Sequence, residues 1–117
     1  MTLTQARRFA LSLPETAEAP HFEYTSFRVK GKIFATAPPE GTHLHVFVSD
    51  EERELALGLA PEFLEDLPWG KKIVGLRVDL GKAKPKVVET LLRQAWARKA
   101  PKKLAAQLAT ANDDLGW

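Results

Sequence analysis

His43 and His45 stand one residue apart in the alternating stretch HLHVF. On a strand, that spacing puts both imidazoles on one face, the way two ligands of a metal ion are presented. No third ligand follows nearby, and His21 would have to arrive by folding, so the pair is expected to face solvent and hold no metal. Glu18 and His21 have the types of an acid/base pair. No nucleophile, oxyanion donor or glycine-rich phosphate loop accompanies them, and their segment, Glu15 to His21, reads as a connector. Asp50, Glu51, Glu52 and Glu54 make an acidic cluster of the kind that attracts cations. A place at the start of a helix explains it, since the macrodipole favours acids there. The cations form two groups. Arg28, Lys30 and Lys32 surround Gly31, and Lys71 and Lys72 precede Arg77, with Lys82, Lys84 and Lys86 beyond. Lys and Arg at a hairpin tip are suited to lie along phosphates, and Lys at such tips also blocks edge-to-edge pairing of sheets. Trp69 and Trp96 are expected to pack in the core or a groove. Gly70 is read as a turn residue and Gly75 as a position of close backbone approach. No catalytic constellation emerges, so the protein is not expected to be an enzyme.

The elements that position these residues are bounded by the composition. The chain has 117 residues, 44% hydrophobic and 27% charged, which suits one globular domain spanning residues 1–117. It has no Cys, which excludes disulfides, thiolate catalysis and cysteine-rich zinc sites. Arg7 and Arg8 interrupt the apolar positions of the first segment, which is therefore not a signal peptide. No apolar run approaches the ~18 residues of a membrane span, and a cytoplasmic protein is expected. The net charge of +2 is unevenly spread: residues 1–70 sum to −5 and residues 71–117 to +7. Such asymmetry marks either an anionic partner for the basic part or a well-solvated helix and tail.

Thr2 or Thr4 is placed to cap a first helix that ends at Leu13-Pro14. Pro20 to Ser49 then reads as three antiparallel strands. Phe27 and Val29 alternate with Tyr24, Ser26, Arg28 and Lys30, a tight turn forms at Lys30-Gly31-Lys32, and Leu44, Val46 and Val48 share a face. Ser49 or Asp50 caps a short second helix, interrupted by Gly58 and Pro61. A helical turn is expected from Pro61 through Asp66, closed by Pro68. Lys71 to Leu80 is a fourth strand, with Val74, Leu76, Val78 and Leu80 on one face. Pro85 opens the main helix, whose stripe runs through Val87, Val88, Leu91, Leu92, Ala95 and Trp96. A last helix spans Lys102 to Ala111, with Asn112 as its end.

This order predicts an α+β fold: a two-layer sandwich of an antiparallel sheet with helices packed on one face. The other face is then open. Alternation places Tyr24, Ser26, Arg28 and Lys30 there, with His43, His45, Phe47, Arg77 and Asp79 beside them.

The segments PETAEAP, SFRVKGKIFAT, SDEERELAL, APEF, the pair Trp69-Gly70 and LLRQAWARKAPKKL, in this order, resemble the MmcQ/YjbR-like family from the first helix to about Leu104. The resemblance implies a compact frataxin/CyaY-like sandwich and a "double-wing" mode of DNA binding inferred from shape. It brings no catalytic residues. The expectation is a small noncatalytic binding protein without cofactor. Nucleic acid is its foremost partner, contacted by Arg28, Lys30, Lys32, Lys71, Lys72 and Arg77. The alternative is a protein-interaction or small-ligand module, self-association included, that uses the open sheet face.

Overall fold

The computed structural model describes residues 1–114, with side chains as far as Leu108. In chain order the elements are α1 (Leu3–Ser12), β1 (Thr16–His21), β2 (Tyr24–Val29), β3 (Lys32–Ala37), β4 (His43–Val46), α2 (Asp50–Leu59), β5 (Leu64–Trp69), β6 (Lys72–Asp79), α3 (Pro85–Lys99) and α4 (Lys102–Asp114). The strands form one antiparallel sheet in the order β1-β2-β3-β4-β6-β5. The fold is α+β. No helix among the described residues is long and apolar enough to cross a membrane.

Local chemistry explains most boundaries. Thr2 and Ser49 accept from the backbone amides of Gln5 and Glu52, whose side chains accept in return, so α1 and α2 both start in capping boxes. Asp50, Glu51 and Glu52 occupy the first turn of α2, as the sequence led one to expect. Pro85 opens α3, where its missing N–H costs nothing, and Arg98 and Lys99 occupy the last turn, where cations suit the dipole.

Two strands differ from the sequence reading. The expected connector is β1, paired with β2 from Thr16↔Val29 to His21↔Tyr24. The expected helical turn from Pro61 is a turn only to Phe63, after which Leu64–Trp69 runs extended against β6. Both are edge strands and each contains a proline, Pro20 or Pro68, whose missing N–H an unpaired edge tolerates. The last helix continues past Asn112 to Asp114.

The core lies between the sheet and the helices. Phe27, Val29, Ala35, Leu44, Val46, Leu76 and Val78 present one face, and Ala6, Ala10, Val88, Leu91, Leu92, Ala95 and Trp96 of α1 and α3 close over it. Trp96 is wholly buried, as its place on the stripe implies, and its Nε1 donates to the Pro14 carbonyl at 2.9 Å. That bond ties α3 to the corner where α1 hands the chain to β1. On the same side, α2 is held to β5 by Arg53, which donates to Asp66 Oδ1 at 2.8 Å. α4 packs on α3.

Candidate functional site

Of the cations singled out in the sequence, Lys30 and Lys32 lie at the tip of one hairpin and Lys71 and Lys72 at the tip of another, whereas Lys82, Lys84 and Lys86 follow the Asp79 end of β6, at the opposite end of the sheet, and do not extend the second group as expected. In β2–β3 the turn is Lys30-Gly31, with φ of 51° and 82°. Two successive left-handed residues match the right-handed twist of the strands they join. In β5–β6 the turn contains Gly70, φ 63°, and Lys71. The registers fix how the tips are related. β2 ends at Val29, opposite Lys32. β4 runs parallel to β2 and pairs with β6 as His43↔Asp79 and Val46↔Leu76. β5 ends at Trp69, opposite Lys72. Both turns therefore project from the same end of the sheet. Three strand spacings separate the hairpin centres, about 14 Å. Lys30, Lys32, Lys71 and Lys72 are all exposed there. Lys30 approaches Glu15 at 3.7 Å, an exposed pair that restrains it little.

Between the tips, the chain leaving β4 turns into α2. Gly75 allows this passage: a Cβ there would sit 2.0 Å from the Val46 carbonyl oxygen and 3.0 Å from Phe47 Cα. Arg98 at the end of α3 donates to the carbonyls of Phe47 at 3.4 Å and Val48 at 3.2 Å, so it is structural. The acidic first turn of α2 also starts at this end. It lies on the helical side, where Asp50 meets Arg53 at 3.5 Å.

The face turned away from the helices is the open one. One row crosses all six strands: Ala19, Ser26, Thr36, His45, Arg77, Glu65. Arg28 and Arg77 are half-buried cations on this face. Ser26 was expected to be open with Tyr24 and Arg28. It lies on this face but is 0% exposed, because β1, unforeseen in the sequence, supplies the Ala19 carbonyl that its hydroxyl meets at 2.7 Å. Arg28 Nε donates in turn to Ser26 Oγ at 3.0 Å, which fixes the guanidinium over the sheet. Lys30 belongs to the turn, and Phe47 lies beyond the end of β4, so neither joins the row.

His45 is half-buried, with its ring 6.0 Å from that of Tyr24. Burial, then the neighbouring Arg77, then His43 hold its pKa below the ordinary histidine value, so it is neutral at pH 7. His45 Nε2 and Arg77 Nε are both buried without a protein partner. Arg77 Nε is 3.8 Å from Glu65 Oε1, beyond hydrogen-bond length.

Other candidates dissolve. Glu18 faces the helices and is paired with Arg7, while His21 is on the opposite face, in ring contact with Phe22. His43 accompanies His45, but no group of three metal-ligating side chains forms among the described residues. A depression of about 240 Å³ runs beside His43, Glu62, Glu65, Arg77, Asp79 and Lys82, and its mixed charges point to no single ligand class.

Trp69 is the functional candidate the sequence reading misplaced. It is 80% exposed, on the β5–β6 tip opposite Lys72. Its position between Pro68 and Gly70 was the available signal, because a residue at the mouth of a tight turn has no layer above it to enter.

No curated protein matches the chain. Among solved structures, the crystal structure of Deinococcus radiodurans protein DR2400, a DUF419 domain, superposes with a TM-score of 0.70 at 22% identity, covering 82% of this chain and 76% of that one. At that identity the likeness concerns the fold alone. The YjbR family model matches residues 11–98, from the last turn of α1 through all six strands to Arg98 in α3, and the chain therefore belongs to the YjbR family.

Proposed function

We propose that the protein is a small, noncatalytic nucleic-acid-binding protein of the cytoplasm that uses its two hairpin tips as wings. The observation that supports this reading is their common end: Lys30 and Lys32 on one tip, Lys71 and Lys72 on the other, about 14 Å apart. A single phosphate chain can touch both. Arg28 and Arg77 extend the basic surface onto the open face, while the acidic start of α2 disfavours approach from the helical side. Such contacts release counterions, so affinity falls with salt at about −0.9 log units per phosphate engaged on duplex DNA.

The test is a salt titration of binding to labelled duplex and single-stranded oligonucleotides. Reversing Lys30 and Lys32 to Glu should weaken binding equally for unrelated sequences and lower the salt slope by about 2. Absence of binding even at low salt refutes the proposal. A second reading, a protein partner on the open face, is favoured by the exposed Tyr24 and Trp69, since aromatics anchor interfaces. It requires affinity that changes little with salt.

A further inference from the structure

We infer that the nucleic acid taken by this surface is single-stranded, with a base stacked on Trp69. The inference rests on the wing reading and names the ligand class of that site. β5 alternates Glu65, Leu67 and Trp69 away from the helices, and the extra residue of the β5–β6 irregularity lies in β6, so Trp69 stays on the open-face side of its tip. The indole is 80% exposed and so lies outside the core, and the nearby Ile73, 39% exposed, is paired with Pro68 rather than with Trp69. Lys72 sits directly across the hairpin and Lys71 in the turn.

An aromatic platform flanked by cations is how proteins hold unpaired bases: the ring stacks on a base and the ammonium groups follow the adjoining phosphates. A duplex keeps its bases stacked on one another and would leave Trp69 unused. On the same open face, Arg77 lies in the row of Ser26, Thr36 and His45, and Arg28 stands two residues from Ser26 toward the tips, while Ala19, Ser26 and Thr36 keep the floor of that face low.

Other occupants fit less well. A second copy placed symmetrically on this tip would set Lys71 and Lys72 against their own counterparts. A membrane would meet one large apolar side chain beside four lysines, because the sister tip, Lys30-Gly31-Lys32, carries none.

The experiment measures anisotropy of four labelled probes at low salt: an oligothymidine of about twelve nucleotides, an abasic oligomer of equal length, a duplex of equal length, and anionic phospholipid vesicles. The proteins are wild type, Trp69→Ala and Trp69→Phe. Wild type should prefer the oligothymidine to the abasic oligomer about tenfold. Trp69→Ala should abolish that preference with an unchanged melting temperature, and Trp69→Phe should restore most of it. Equal affinity of wild type for the abasic oligomer, or tighter binding of the duplex, overturns the stacking inference and leaves the wings intact. Vesicle binding lost in Trp69→Ala, with oligonucleotide binding unaffected, assigns the indole to lipid and also overturns it. No binding to any nucleic acid overturns both proposals.

Discussion

Replacing Trp96 by Ala should unfold the protein about 16 °C earlier. The side chain is wholly buried between α3 and the sheet, and its indole N–H meets the Pro14 carbonyl at 2.9 Å. Removal of a large aromatic from a core costs about 3–5 kcal/mol, combining lost burial with the cavity that remains. At about 2.1 cal/mol/K per residue, 117 residues give an unfolding entropy of about 0.25 kcal/mol/K, so a loss of 4 kcal/mol converts to about 16 °C. Trp96→Phe keeps most of the apolar contact but leaves Pro14 without its donor. It should cost about 1–2 kcal/mol, or about 4–8 °C. Thermal melts followed by circular dichroism, with urea titrations to confirm two-state behaviour, measure both variants. The Phe variant should bind oligonucleotides as wild type does, because Trp96 reaches no surface. An Ala variant melting within about 2 °C of wild type would show that α3 does not depend on this residue, and the packing argument would fall.

Two further outcomes come from the strands. Gly75→Ala should cost at least about 3 kcal/mol in urea denaturation, because its Cβ would meet backbone atoms of Val46 and Phe47 that have nowhere to go. Gly70→Ala should cost only about 1 kcal/mol, since φ 63° strains it in otherwise open space, and equal costs for the two would contradict this geometry. For His45, the folded protein binds the proton less readily than the unfolded chain, so stability should be level above pH 6.5 and decline as pH falls below it. His45→Gln should flatten that decline; an identical acid-side slope in variant and wild type would show that another group is responsible.

The parts of the fold that the sequence disclosed are those whose information is local. The helix starts, read as a cap at Thr2 or Thr4 and at Ser49 or Asp50, the Pro85 start and the α3 stripe are all written within a few residues of where they act. The hairpin at Lys30-Gly31 and the alternation of β2 and β6 are equally self-contained. The two missed strands are different in kind. Thr16–His21 and Leu64–Trp69 are rich in Ala, Glu, Asp and Pro, which have little preference for extended structure, and they are strands because β2 and β6 offer them partners. Missing β1 also hid the burial of Ser26, whose acceptor lies on that strand. The two tryptophans were treated alike because residue type alone suggested a core. Trp96 has apolar neighbours at helical spacing, whereas Trp69 sits at a turn, and only the paired geometry of the tip makes that difference decisive. The basic residues themselves are visible in the sequence. Their common end is not, since it depends on the pairing of β4 with β6.

That pairing has a kinetic meaning. β1 to β4 follow one another through short connections, and β5 and β6 form a hairpin of their own, so each block can assemble from local contacts. The seam between them brings Val46 to Leu76 across the intervening α2. Hairpins close in about 1–10 μs, whereas a non-local closure is slower and is the step that organises the sheet. One wing belongs to each block. A partly opened molecule with the seam released would keep both hairpins yet lose their shared end, and with it the two-point grip on a phosphate chain that we propose. By mass action, a ligand that spanned both tips, as proposed, would favour the closed seam and so act as a clamp on the least local joint of the fold.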